Sequence, residues 1–122
     1  MSLIAVFTTL PSREQALDLA RALVQEGLVA CAQISAIESV YVWQGDLQQE
    51  PEFRLLLKAC ASRYDAIEAA ILARHPYDLP AIHAQAVVRV HEPYGTWIRS
   101  RSGATAPESG QEPPDPEPPL AG

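Results

Sequence analysis

Residues 29–43 have the sequence VACAQISAIESVYVW, which is rich in apolar and β-branched side chains over an unusual length for one strand. In its last part, residues 40–43, valines alternate with aromatic rings, so both faces of the predicted strand are apolar. Such a strand must be covered on both faces, and a chain of 122 residues has little spare material to do so. We therefore expect an interface between subunits here, with a bulge or kink at Ser35 and Ala36.

The chain before this stretch predicts a strand and a helix. Residues 3–9 are apolar and β-branched, as is typical of a strand. Ser12 followed by Gln15 forms a capping-box signature, after which apolar residues recur at helical spacing. Gly27 then provides a stop signal at the carboxyl end of an amphipathic helix.

The chain after this stretch predicts a strand, a helix, a further strand and a short closing helix. A tight turn leads to residues 52–59, where apolar and polar side chains alternate as in a strand. The second helix opens near Ser62 and cannot continue past Pro76. Alternation over residues 84–90 predicts the fourth strand, and residues 94–101 predict the closing helix.

The order strand, helix, strand, strand, helix, strand is that of the ferredoxin-like α+β fold. In this fold two helices cover one face of a four-stranded antiparallel sheet and leave the other face open, which favours self-association. We expect one such domain over residues 1–103. Residues 104–122 hold six of the eleven prolines and four acidic residues with almost no large apolar side chains, which predicts a disordered acidic tail.

Composition and charge argue against a nucleic-acid-binding protein and against a membrane protein. The formal net charge is -6, but without the four acids of the tail it is about -2, and no basic stripe suggests binding to nucleic acid. The amino-terminal residues lack a basic segment, and no apolar run approaches the roughly 20 residues of a membrane span. We therefore expect a cytoplasmic protein without a membrane anchor. Cys31 and Cys60 are predicted to be buried thiols rather than a disulfide or zinc ligands.

Five short motifs follow one another in a fixed order along the chain. They are Glu26-Gly27-Leu28-Val29-Ala30-Cys31-Ala32, Ser39-Val40-Tyr41-Val42-Trp43-Gln44-Gly45, Glu52 with Lys58, His75-Pro76-Tyr77-Asp78-Leu79-Pro80, and Tyr94-Gly95-Thr96-Trp97-Ile98. In this order and at these spacings the chain resembles the CutA divalent-cation-tolerance family over residues 3 to about 101. The resemblance implies a homotrimer of ferredoxin-like protomers whose long strands pair across subunits. It also implies a role in tolerance to copper and other divalent cations, and an architecture related to the PII signalling proteins, which bind small ligands in clefts between protomers.

His75 is the residue for which metal binding can be argued, because imidazole suits copper, zinc and nickel. Copper and zinc sites usually take three or four ligands, and the neighbouring Arg74 and Pro76 cannot coordinate a metal. Some CutA members have a second histidine at the position of Arg74. The alternative is that His75 caps the second helix and forms a hydrogen bond across a subunit boundary. A divalent metal such as copper is the cofactor to consider, and no organic cofactor is expected.

Glu52 and Lys58 are six residues apart on one predicted strand, so both point to the same face, about 20 Å apart. They cannot contact each other within one strand. In a trimer they could line a cleft with His75 that holds an anion or a hydrated metal. The alternative is that each forms an ion pair with another protomer.

Five aromatic residues are candidates for an aromatic ligand cage or, alternatively, for anchors of a subunit interface. They are Tyr41, Trp43, Tyr77, Tyr94 and Trp97. We favour anchors, because large rings bury much area while the hydroxyl and indole groups keep a polar partner.

Three functions are compatible with these features, and we favour the first. It is a non-enzymatic trimeric protein of metal tolerance that binds cations weakly or acts through an unknown protein partner. The alternative is a PII-like sensor of a small anion or nucleotide in inter-subunit clefts, although the chain lacks a glycine-rich phosphate loop. The third is a hydrolase or isomerase that uses His75 and Glu52 as acid and base, which lacks an evident nucleophile.

Overall fold

The computed structural model describes residues 2–103, in which four strands and three α-helices alternate. The strands are β1 (Leu3–Leu10), β2 (Cys31–Trp43), β3 (Asp46–Cys60) and β4 (Ile82–Ala86), and the helices are α1 (Arg13–Gln25), α2 (Tyr64–Arg74) and α3 (Glu92–Ser102). The strands form one antiparallel sheet in the order β2-β3-β1-β4. This confirms the predicted α+β fold with its βαββαβ order and additional closing helix.

The main core lies between one face of the sheet and the helices α1 and α2. Alternate residues of β1 and β3 point toward these helices, and the two helices contribute apolar side chains at helical spacing. The fully enclosed members of this core include Val6, Leu23, Leu55, Leu57, Ile67 and Ile71. Both helices therefore cover the same face of the sheet and leave the opposite face open.

Local signals fix the ends of α1 as expected. The hydroxyl of Ser12 accepts a hydrogen bond from the backbone N–H of Gln15 at 3.1 Å and donates to its side-chain oxygen at 2.9 Å. At the other end, Gly27 has a φ of 72°, and the N–H of Leu28 returns to the carbonyl of Leu23. The helix begins and ends where these two signals place it.

The hairpin of β2 and β3 is longer and more regular than predicted. The two strands pair without interruption from Cys31 opposite Lys58 to Trp43 opposite Asp46, so the bulge expected at Ser35 and Ala36 is absent. The two-residue turn has positive φ at both Gln44 and Gly45, as a type I′ hairpin requires. A regular hairpin turn thus extends β3 back to residue 46, six residues before its predicted start.

The fourth strand is shorter than predicted and ends at Ala86 rather than at residue 90. Its partner β1 begins at Leu3, whose carbonyl accepts the N–H of Val87, and no residue of β1 remains to pair with the next ones. Val88 is 89% exposed. Alternating apolar residues therefore continue beyond the point at which the sheet can accept them.

The far end of the hairpin projects beyond the rest of the sheet. Because β1 ends opposite Phe53, residues 37–43 and 46–52 pair only with each other, and we call residues 37–52 the hairpin arm. Its apolar side chains lie exposed on both faces of this two-stranded ribbon. On one face are Val40, Val42 and Leu47, and on the other are Tyr41 and Trp43.

Within residues 2–103, the longest helix is α1 with 13 residues, and none of the helices is both long and apolar enough to cross a membrane. The prediction of a disordered tail at residues 104–122 falls outside the described residues.

Candidate functional site

The residues singled out in the sequence form two separate groups along β3, one near its middle and one near its carboxyl end. Glu52 lies in the hairpin arm, whereas Lys58 lies six residues later, near the end of the strand. At about 3.3 Å per residue this is a separation of about 20 Å. A single protomer therefore does not bring these two charges together.

The first group lines a groove between the hairpin arm and the loop that follows α2, which we call the arm groove. It encloses about 790 Å³. Its walls are residues 39–43 of the arm and residues 76–79 of the loop, with Thr9, Glu52 and Ala81. Three of the five candidate aromatic residues, Tyr41, Trp43 and Tyr77, are therefore neighbours.

Glu52 is held inside the arm groove by a tyrosine. Only 7% of this residue is exposed, although it lies on the open face of the sheet. The hydroxyl of Tyr77 donates a hydrogen bond to Glu52 Oε2 at 2.8 Å. Burial, and next the bond to Glu52, raise the pKa of Tyr77 well above its usual range, so its hydroxyl remains a donor at neutral pH. The pair joins the loop to the arm.

His75 uses both ring nitrogens within the protomer. Its Nδ1 accepts the backbone N–H of Tyr77 at 3.2 Å, so Nε2 carries the proton and donates to the carbonyl of Thr9 at 2.6 Å. The imidazole ring also lies 4.9 Å from the ring of Tyr77. His75 is the C-cap residue of α2. Its Nε2 bond connects β1 to the loop after α2, whereas its Nδ1 bond lies within that loop, and both are formed inside one protomer.

These contacts bear on metal binding. A metal ion at His75 would have to displace one of the two hydrogen bonds, because neither nitrogen keeps a free lone pair. Across residues 2–103, three or more His, Cys, Asp or Glu side chains do not come together in any place that could hold a metal ion. The described residues of one protomer therefore do not fit a copper or zinc site of the usual ligand number.

The second group, which we call the lysine cluster, consists of Cys31, Gln33, Lys58 and Tyr94. Lys58 Nζ donates to the Tyr94 hydroxyl at 3.1 Å and to Gln33 Oε1 at 3.4 Å, and it lies 5.3 Å from the centre of the Tyr94 ring. Cys31 Sγ lies 3.6 Å from the same hydroxyl. The cluster therefore places a cation, a phenol, an amide and a thiol together.

Helix α3 carries Tyr94 and holds it in place in the lysine cluster. The ring of Tyr94 stacks on that of Trp97 at 5.9 Å, and both pack against a small second core that includes Ile98 and Cys60. Burial is the main cause that raises the pKa of Tyr94, followed by its contact with Cys31, whereas Lys58 lowers it. These two candidate aromatic residues thus position Lys58 rather than join the arm groove.

Cys31 and Gln33 were not predicted to be site residues. Both cysteines are free, and Cys60 is fully buried, but Cys31 is only half-buried and faces Tyr94. The position of Cys31 beside Lys58 could have been predicted from a two-residue turn at Gln44 and Gly45, because that turn places the two residues directly opposite each other. The contact with Tyr94 had no local signal, since that residue is 63 positions away.

Comparisons with known proteins agree with this fold. A family model described as CutA1 divalent ion tolerance protein matches residues 4–101. The divalent-cation tolerance protein CutA of Thermus thermophilus is 35% identical over 99 residues, which cover 80% of this chain and 96% of that protein. The chloroplastic protein CutA of Arabidopsis thaliana is 36% identical over 98 residues, which cover 80% of this chain and 54% of that longer protein. The crystal structure of CutA1 from Oryza sativa has a TM-score of 0.83 at 32% identity, covering 86% of this chain and 97% of that one.

Proposed function

The chain belongs to the CutA1 divalent ion tolerance family, and on this premise we propose that it acts as a homotrimer in tolerance to divalent metal ions, copper among them, without catalysing a reaction. The observation that carries the proposal is the hairpin arm. It extends beyond the sheet with apolar side chains on both faces, of which Val42 is 67% exposed and Leu47 is 73% exposed.

Self-association follows from the energetics of this arm. Two-stranded ribbons are marginally stable in water by themselves, and exposed apolar surface favours burial by about 25 cal/mol per Å². A second and a third copy could cover the arm from both faces. Tyr41 and Trp43 are then the expected anchors, because large rings near the centre of an interface carry much of its binding energy.

Binding of the metal ion itself has less support from the structure than self-association has. Because the described residues of one protomer do not fit a metal site, any metal binding is expected to be weak or to use groups from more than one protomer. The arm groove supports a site shared between protomers, because it holds Glu52 and borders Asp78 next to the surface that we assign to the interface. The alternative to metal binding by the protein itself is that it acts through a protein partner.

Sedimentation velocity of the purified full chain tests the assembly. We expect a single species of about 40 kDa, three times the 13.3 kDa of one chain, at micromolar concentration. A stable, folded monomer would contradict the proposal, because the exposed faces of the arm would then need no cover. A stable dimer would contradict the threefold arrangement while leaving self-association in place.

A further inference from the structure

Lys58 is a partly buried cation without an acidic partner in the part of the chain that the structure describes. Its hydrogen-bond acceptors, the Tyr94 hydroxyl and Gln33 Oε1, are both neutral. No acidic residue of the described part of the chain forms an ion pair with Lys58. An ammonium group has three N–H donors, so one donor of Lys58 has no acceptor among these residues. A partly buried charge of this kind favours a counter-ion.

The groups around Lys58 are donors as well. The Tyr94 hydroxyl accepts from Lys58, and its own proton is free to be donated toward Cys31 or a ligand. The amide of Gln33 offers two further N–H donors. A small negatively charged ligand would therefore meet one full positive charge and several donors at the same place.

We propose that Lys58, Tyr94 and Gln33 bind a small monocarboxylate beside the thiol of Cys31. One negative charge matches the single cation of the cluster, whereas a dianion such as phosphate would leave one of its charges uncompensated there. All four side chains belong to one protomer, and the site lies about 20 Å from Glu52 along β3. The proposal is independent of metal tolerance.

The thiol of Cys31 provides a direct measurement of this site. Iodoacetate and iodoacetamide alkylate a thiol by the same step: the sulfur–carbon bond forms, the carbon–iodine bond breaks, iodide leaves with the electron pair, and the thiol proton passes to water. The two reagents differ in that iodoacetate carries a carboxylate. Preference for iodoacetate therefore reports a bound carboxylate beside the sulfur.

The experiment measures both alkylation rates at Cys31 of the native full chain by mass spectrometry. We expect the iodoacetate to iodoacetamide ratio to exceed that of 2-mercaptoethanol by about fivefold, as a charge-assisted contact in a partly exposed site would give. Acetate at constant ionic strength should slow the reaction with iodoacetate more than that with iodoacetamide. Cys60, which is fully buried, should remain unmodified.

Two variants separate the site from general charge. Lys58→Gln should reduce the ratio to that of 2-mercaptoethanol. Arg54→Gln is the matched control, because Arg54 is a cation on the same strand and face but about 13 Å further along it, beyond the screening length at physiological salt. It should leave the ratio unchanged.

Three results would overturn the proposal. One is a wild-type ratio equal to that of the free thiol, as expected if an acidic residue of another protomer already neutralises Lys58. The second is an equal loss of preference in the Lys58→Gln and Arg54→Gln variants. The third is a failure of Cys31 to react in the native protein, since the site would then be closed to ligands.

Discussion

The imidazole of His75 connects two parts of the backbone and has no lone pair left for a metal. In contrast, the ring of His91 forms no hydrogen bond with any described residue, and this residue is exposed at the start of α3. Copper binds accessible imidazoles. His83 is exposed as well, although its ring stacks on that of Phe7. At the scale of single residues, we therefore expect exposed histidines, rather than His75, to make the first contact with copper.

Copper titrations of three proteins can distinguish His75 from His91 as a copper ligand. Calorimetry should give the same weak copper binding for the wild type and for His75→Ala, whereas His91→Ala should bind less copper. His75→Ala should instead lose about 1–3 kcal/mol of unfolding free energy, because the carbonyl of Thr9 and the N–H of Tyr77 lose their partner. Loss of copper binding in His75→Ala alone would restore His75 as a metal ligand.

At the scale of elements, the turn of the long hairpin determines which residues face each other along β2 and β3. Gly45 has a φ of 85°, a backbone conformation that is strained for residues other than glycine. A Cβ atom built at this position would nevertheless meet no atom within 4 Å. Any effect of substitution is therefore conformational rather than steric. Gln44 occupies the same left-handed region with a φ of 52°.

Substitutions at the turn should change stability in opposite directions. Gly45→Ala should lower the free energy of unfolding by about 1 kcal/mol, the cost of a left-handed conformation for an L-residue. Gln44→Asn should raise it by a few tenths of a kcal/mol, because asparagine adopts this conformation more readily. Urea unfolding at one fixed protein concentration measures both. Changes of the same sign would contradict the assigned turn.

The elements that could be predicted from the sequence are those with local signals. Ser12 and Gly27 define α1 without reference to the rest of the chain. The early part of β3 could not be predicted, because its residues 46–51 are mostly polar, include Pro51 and are strand only through pairing with β2. Pro51 is tolerated because β3 has a strand on only one side here.

For the candidate site, the sequence predicted which residues take part but not which of them contact each other. The residue types and motifs pointed to His75, Glu52, Lys58 and the aromatic residues, but not to their grouping. The contacts of Tyr77 with Glu52 and of Tyr94 with Lys58 span 25 and 36 residues along the chain. Such contacts depend on how β3 passes from the arm groove to α3, which no local pattern encodes.

At the scale of the whole molecule, the hairpin arm is the surface that distinguishes an assembling protomer from a monomer. A protein that is stabilised by association melts at a higher temperature as its concentration rises, because mass action favours the folded oligomer. A monomer shows no such dependence. Thermal unfolding across a range of concentrations therefore tests assembly without assuming which copies touch.

Replacement of Trp43 should weaken this dependence. Trp43→Ala removes an anchor from the arm, and we expect it to cost several kcal/mol of association free energy, in the range of truncated interface aromatics. Leu72→Ala is the matched control, because Leu72 is a large apolar residue on α2 that is 51% exposed, outside the arm. Sedimentation should find Trp43→Ala dissociating at concentrations where Leu72→Ala and the wild type remain assembled. Equal behaviour of the two variants would mean that the arm does not hold the subunits together, since loss of exposed apolar surface would then have the same effect anywhere on the protomer.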